Sequence, residues 1–169
     1  MVATQLLVGM AEIQVAKEGP LFVCLGLGSC IGLAAYDPVA KVAGMVHVML
    51  PAAFADKPVD KPGKFADTGV PHLLEQMARL GASRSRILVA MAGGAQVFNF
   101  GSGSAGKLDI GRRNADAVEA QVQALGLRCL GKDVGGNQGR TMTFDSGSGL
   151  VKVRTVTSME RALCNLKGS

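Results

Sequence analysis

Residues 21–51, LFVCLGLGSCIGLAAYDPVAKVAGMVHVMLP, constrain the fold more than any other stretch of this chain. They read as a strand, a glycine-rich bend, a second strand, a turn and a third strand. Residues 31–36 and 41–50 are mostly apolar runs, and Asp37-Pro38-Val39-Ala40 separates them. Proline in the second position suits a type I turn, because its ring fixes φ near the value that site needs. Proline cannot take positive φ, so a two-residue primed turn is disfavoured and a four-residue loop is expected.

That loop length implies a register. With Tyr36 facing Lys41, Cys30 stands directly opposite His47. Cross-strand partners hold their Cβ atoms about 4.5–5.5 Å apart. A thiol and an imidazole at that spacing can share a proton, as an activated cysteine nucleophile requires. A slip of one residue would place His47 beside Ser29 or Ile31 and weaken the contact. In this register Cys30, Gly32, Ala34 and Tyr36 share a face with Lys41, Ala43, Met45 and His47. The residues around the pair are mostly small, which leaves room for a substrate. Ile31, Leu33 and Ala35 share the opposite, core-like face with Val42, Gly44, Val46 and Val48.

The bend Gly26-Leu27-Gly28-Ser29 leads into Cys30. Backbone amides after such a bend can point at a developing oxyanion, and those of Ser29 and Cys30, with Gly28 beside them, are the candidates. The bland alternatives are a small buried thiol in an apolar strand and a hydrogen-bonded structural histidine. A dinucleotide loop at Gly26-x-Gly28 is disfavoured. It needs a following helix and an acid about twenty residues on, whereas a strand-like run follows and Val46-His47-Val48 occupies the acid's place.

The same stretch, LGLGSCIGLAAYDPVAKVAGMVHVMLP, resembles the signature of the CheD family, the chemoreceptor glutamine deamidases of bacterial chemotaxis. Further pieces match in order: DKPGKFADT at 60–68, AGGA at 92–95, IGRRN at 110–114 and GGN at 135–137. The likeness runs over roughly residues 5–156. It implies that Cys30 is the nucleophile, that His47 is the base, and that the reaction converts receptor glutamine to glutamate. The family's third group is a threonine where Cys24 stands, and a thiol is a weaker hydrogen-bond partner than a hydroxyl. Three readings stay open: a backbone carbonyl orients His47, Cys24 does so weakly, or activity is reduced. Cys24 also admits a regulatory disulfide with Cys30. The implied partners are chemoreceptor cytoplasmic helices and a CheC-type phosphatase.

The chain has 169 residues, 48% of them apolar and 18% charged, which suits one compact domain with a real core. Aromatic residues are 4% with no tryptophan, which argues against a sugar cleft or a base-stacking surface. The net charge of +5 comes from scattered residues, so no nucleic-acid footprint appears and an acidic partner is favoured. Cysteines 24, 30, 129 and 164 have no CxxC spacing, and His47 and His72 complete no zinc pattern. No metal or other cofactor is therefore expected. Met1-Val2-Ala3-Thr4-Gln5 does not begin a signal peptide, and no apolar run approaches a membrane span. A cytoplasmic protein with reduced thiols is the expectation.

Residues 4–16 read as one or two strands, and the proline-rich stretch 52–64 as a loop beside the site. Residues 65–80 form a helix with Val70, Leu73, Leu74, Met77 and Leu80 in one stripe, His72 on its surface and Gly81 as its stop. Residues 86–92 are a buried strand. Phe98 and Phe100 follow as core, in preference to an exposed docking patch, and 101–106 as a flexible loop. A second helix runs from 110 to 125, with Asn114 as a plausible N-cap. Residues 127–134 are a strand carrying Cys129, and 141–144 and 150–154 a hairpin. The tail from about residue 157 is polar, short and flexible, or a fraying helix. No linker divides the chain, so residues 1–169 form one CheD-like domain.

Hairpins dominate, so the fold class is α+β: a layered α/β sandwich with mostly antiparallel strands and two main helices. The leading function is a cysteine-dependent protein-glutamine amidohydrolase. Alternatives are a non-catalytic chemotaxis adaptor that binds the receptor or the phosphatase, and a thiol hydrolase acting on small molecules.

Overall fold

The computed structural model of the chain describes residues 4–96 and 109–168. Its elements are β1 (Gln5–Leu7), β2 (Ile13–Lys17), β3 (Leu21–Leu27), β4 (Ile31–Asp37), β5 (Val42–Val48), α1 (Ala66–Arg79), β6 (Leu88–Gly93), α2 (Ile110–Ala124), β7 (Arg128–Val134), β8 (Arg140–Asp145), β9 (Leu150–Thr155) and β10 (Arg161–Asn165). Phe98, Phe100 and the run 101–106, read above as core and as a flexible loop, lie outside the described residues.

Two five-stranded sheets stack face to face. One has the order β1-β3-β8-β9-β10 and the other β2-β5-β4-β6-β7. Only β1 with β3 and β6 with β7 pair in parallel; the other neighbours are antiparallel. Between the sheets lie Phe22, Tyr36, Met45, Met142 and Phe144, all buried. The rings of Phe22 and Phe144 stack with centroids 5.7 Å apart. On the outer face of the second sheet, Ile31, Leu33, Val46 and Met91 meet the apolar stripes of α1 and α2. The result is an α+β sandwich of helices, sheet and sheet.

Helix α1 lies on β5 where Gly44 leaves space. A Cβ there would stand 2.8 Å from Leu73 Cδ1 and 3.2 Å from Met77 Sδ. Val70, Leu73, Leu74 and Met77 make the buried stripe, each contributing on the order of 2 kcal/mol. His72 sits on the outer side of the helix, 3.8 Å from Glu75. No helix among the described residues is long and apolar enough to cross a membrane.

Four sequence expectations need correction. The β4–β5 loop does hold four residues, but one position later than expected, at residues 38–41. Asp37 is the last strand residue, because its Oδ1 accepts from the amides of Val39 and Ala40 and its carbonyl accepts from Lys41, which turns left-handed at φ 58°. Tyr36 therefore pairs with Ala43, and His47 pairs with Gly32 rather than Cys30. Second, the face that seemed open to substrate is closed. β4 and β5 are buried from end to end, because the other sheet covers that side. Third, Asp109 caps α2 by accepting from the Arg112 amide, while Asn114 lies buried inside the helix. Fourth, the polar tail contains β10, paired with β9 from Arg161↔Val153 to Asn165↔Leu150.

The turn that sets the register rests on a buried charge. The Asp37 side chain is fully enclosed, with Arg86 Nη2 at 2.9 Å and the Ser83 amide at 2.8 Å. Burial pushes its carboxyl up, but Arg86 and the amides of Ser83, Ala40 and Val39 outweigh it and hold the pKa at about 2. Since the folded value lies below the ordinary 3.8, the unfolded chain takes up the proton first, and this stabilisation is present above that value and lost as pH falls through about 2. Asp37→Asn is expected to lower unfolding free energy by about 2 kcal/mol in denaturant titrations at neutral pH, Arg86 being partly exposed. The same variant should lose part of the native protein's destabilisation between pH 4 and 2.

Candidate active site

Cys30 stands just before β4, at the end of the covered face, and is partly buried. Three anchors hold the bend in front of it. The carbonyl of Gly28 accepts from the Ala95 amide at 2.8 Å, that of Ser29 from Asn114 Nδ2 at 2.9 Å, and that of Cys30 from the Gly94 amide at 2.9 Å. In a trans peptide the N–H points away from the preceding carbonyl. The Ser29 and Cys30 amides are thus turned away from Ala95 and Asn114, and neither donates to an acceptor among the described residues. The anchoring segment needs glycine. Gly93 has φ 120°, and a Cβ on it would collide with the Cys30 carbonyl oxygen.

His47 lies on β5, on the same face as Cys30 but two residues along from the position opposite it. Such diagonal neighbours remain within reach of long side chains. Gly32, directly opposite His47, brings no side chain between them. The imidazole is 2% exposed. Its Nδ1 lies 3.0 Å from the carbonyl oxygen of Val8, and only a protonated Nδ1 can donate to a carbonyl. The proton therefore sits on Nδ1, and Nε2 keeps its lone pair, buried and without a partner among the described residues. The backbone of His47 is held by the same crossing segment: its amide donates to Glu12 and its carbonyl accepts from Ala11.

Both groups rest neutral. Burial pushes the Cys30 thiol above its ordinary 9.0. Burial likewise pulls His47 below 6.5, outweighing the Val8 carbonyl and the more distant Glu12 charge, which raise it. A thiolate–imidazolium pair does not form spontaneously in such surroundings. The arrangement instead suits a base that takes the thiol proton as attack begins.

Cys24 does not reach the His47 Nδ1, which the Val8 carbonyl occupies. Its Sγ lies 3.3 Å from Met45 Sδ in the core between the sheets. Burial, and then the neighbouring Cys30, push its pKa up to about 12. All four cysteines are free thiols. Among the described residues no group of three or more His, Cys, Asp or Glu side chains is placed to hold a metal ion.

Asn114 is the residue that sequence patterns misread. Fully buried in α2, it donates from Nδ2 to the carbonyls of both Ser29 and Met49, at 2.9 Å each. One amide thus ties the cysteine bend to the chain just after His47. Its place in the motif Ile110-Gly111-Arg112-Arg113-Asn114 was the available signal. The orienting atom at Val8 is backbone, so no residue type could have announced it.

A family model described as CheD chemotactic sensory transduction matches residues 49–155. A protein of Desulforamulus reducens named "Probable chemoreceptor glutamine deamidase CheD" is 46% identical over 89% of this chain and 90% of its own length. Proteins with the same name from Desulfitobacterium hafniense and Clostridium botulinum are 46% and 42% identical, covering 92% and 88% of this chain and 96% and 91% of theirs. Among solved structures, a Neisseria meningitidis protein of the DUF152 family aligns with a TM-score of 0.45 and 6% identity, over 80% of this chain and 63% of its own. The family model over more than half of the chain, and relatives this similar along nearly all of it, establish that the chain belongs to the CheD family.

Proposed function

We propose that this protein deamidates glutamine side chains on the cytoplasmic helices of chemoreceptors, with Cys30 as nucleophile and His47 as base. The observation that carries the proposal is the His47 imidazole. Its Nδ1 proton is bound by the Val8 carbonyl, which leaves a buried, unpartnered Nε2 lone pair on the face that Cys30 shares. The relatives' printed name supplies the substrate.

In this mechanism His47 Nε2 takes the Cys30 proton as Sγ attacks the glutamine side-chain carbon. The carbonyl π bond opens and its oxygen becomes an oxyanion, held by the amides of Ser29 and Cys30 beside Gly28. The imidazolium passes its proton to the leaving nitrogen, the C–N bond breaks, and ammonia departs. A water, deprotonated by Nε2, then attacks the thioester, and glutamate leaves with Cys30 restored to a thiol. The Val8 carbonyl orients the base throughout, and Cys24 serves as core packing against Met45. Asn114 is a positioning residue that fixes the Ser29–Cys30 peptide.

Incubating a chemoreceptor cytoplasmic fragment with native protein and with Cys30→Ala tests this, read by peptide mass spectrometry for glutamine-to-glutamate conversion. Conversion by the native protein alone is the expected result. Conversion by neither, with the fragment still bound, would leave an adaptor; conversion by both would move the nucleophile elsewhere. Cys24→Ala should keep kcat within about threefold of native, a larger fall returning the orienting role to Cys24. Asn114→Ala should lower kcat about 10²-fold with KM little changed, as loss of an oxyanion donor does, and a change in KM alone would refute the positioning role. Because His47 must be neutral to accept the proton, and its pKa lies below 6.5, kcat/KM should stay level from neutral pH down to that value and fall only under it. An acid limb centred above 6.5 would contradict the buried neutral base.

A further inference from the structure

β3 departs from its partner close to the active site. Its pairing with β8 runs from Leu21↔Asp145 to Cys24↔Met142 and resumes at Leu27↔Arg140. Leu25 and Gly26 form a bulge between these pairs, and both are exposed. Gly26 has φ 62°, a conformation that favours glycine. Four residues beyond it stands Cys30.

Two hollows flank the bulge. One, of about 170 Å³, is lined by Leu7, Met10, Leu25 and His47 among others, and is apolar at its lip. Leu7, Met10 and Leu25 are more than half exposed. The other, of about 360 Å³, is lined by Gly26, Arg140, Thr141, Arg154, Thr155 and Ser158. The proposed site therefore has an apolar flank that reaches the base, and a cationic, hydroxyl-lined flank across the bulge.

The cationic hollow is not charge-balanced from within. The Arg140 guanidinium is buried in the wall, where the carbonyls of Asp133, Gly135 and Gln138 hold it and its Nε lacks a partner among the described residues. Among the described residues the only carboxylate it meets is Asp133, which is shared with Arg161. Arg154, opposite Thr141 in the β8–β9 ladder, is exposed and makes no ion pair or side-chain hydrogen bond among the described residues. At the rim Thr155 Oγ1 donates to Ser158 Oγ at 2.6 Å, which leaves the serine hydroxyl proton free to donate. A planar guanidinium beside a hydroxyl donor, with a fixed positive charge behind them, is chemistry for a carboxylate.

We propose that the hollow beside Gly26 is a carboxylate subsite, in which Arg154 reads an acidic side chain on the protein substrate near the glutamine to be deamidated. The proposal rests on the deamidase reading above. A substrate helix lying across the Leu25–Gly26 bulge sets an apolar side chain against Leu7, Met10 and Leu25, and an acidic one against Arg154. The glutamine that satisfies both contacts is the one delivered to Cys30. Arg140 supplies charge from the wall rather than contact. Charge complementarity between this flank and an acidic helix selects among glutamines, while the chemistry at Cys30 is the same for all.

Arg154→Glu, a surface change on β9, tests this with two readouts. In the deamidation assay on a receptor fragment, the variant should raise KM about tenfold at glutamines flanked by acids, with kcat unchanged. Replacing the flanking glutamate by lysine in the substrate should restore the variant and impair the native protein. In the second readout, a fluorescent acidic helical peptide without glutamine should bind the native protein with salt-sensitive anisotropy, and bind Arg154→Glu at least tenfold more weakly. Equal binding by both proteins overturns the subsite, whatever the deamidation assay gives. Binding lost in the variant, with no conversion by the native protein, upholds the subsite and overturns the deamidase reading alone. Displacement of the peptide from native protein by free glutamate at equal concentration would mean a small-anion site, and would overturn the assignment to a helix-borne side chain.

Discussion

Both oxygens of the Asp37 carboxylate are bound at the turn between β4 and β5, by the amides of Val39, Ala40 and Ser83 and by Arg86. This cluster decides where β4 stops. Because Asp37 ends the strand and Lys41 takes the left-handed position, Val42 is the first residue back and the register follows. At the far end of the same hairpin, that register puts His47 across from a glycine and leaves Cys30 just outside the ladder. A thiol inside the ladder would be closed under the second sheet with Met45 and Cys24. Outside it, the chain is free to bend, and its carbonyls are available to Ala95, Asn114 and Gly94.

The environment of the pair sets its chemistry. Removing water from both groups favours their neutral forms, so the resting site holds a thiol and an imidazole rather than an ion pair. A neutral imidazole is useful as a base only if the correct nitrogen is bare. The Val8 carbonyl ensures that, since a carbonyl accepts and never donates. A threonine hydroxyl can do either, and a cysteine thiol does both weakly. With the backbone in that role, residue 24 is released to pack against Met45. The same crossing segment, between β1 in one sheet and β2 in the other, also bonds the His47 peptide through Ala11 and Glu12. The imidazole is thereby fixed where the two sheets are joined.

Much of this was legible in residue patterns, and the failures have physical causes. Alternation and apolar runs mark the strands and α1 because both depend on which side chains are buried. The loop length was legible from Asp37-Pro38. Its exact position was not, because that depends on the remote Ser83 and Arg86. The error moved the partner of each β4 residue by two, and side chains alternate with a period of two. Cys30 and His47 therefore stayed on one face although they are not opposite. The open face was misjudged because composition cannot say that a second sheet will cover small residues. Asn114 looked like a cap because asparagine favours that position, yet Asp109 takes it and Asn114 turns inward. β10 was missed because an edge strand, half exposed, carries little apolar signal.

Much of what shapes the site is backbone. The carbonyl at Val8, the amides of Ser29 and Cys30, and the close approach of Gly93 to the Cys30 carbonyl are made by atoms that every residue carries. Sequence registers such contacts as glycines: in the run at 92–95 because a Cβ would collide with backbone, and at Gly135 and Gly136 because φ is positive. The Gly135 amide binds the Gly93 carbonyl and the Gly136 carbonyl binds the Gln96 amide, so these runs brace each other behind the cysteine bend. Chemistry built on backbone tolerates change in the side chains around it. The hollows beside the Leu25–Gly26 bulge are lined mostly by side chains, which are free to vary without disturbing the bend. The side chains of Leu7, Met10, Leu25 and Arg154 can therefore change while the geometry at Cys30 is preserved.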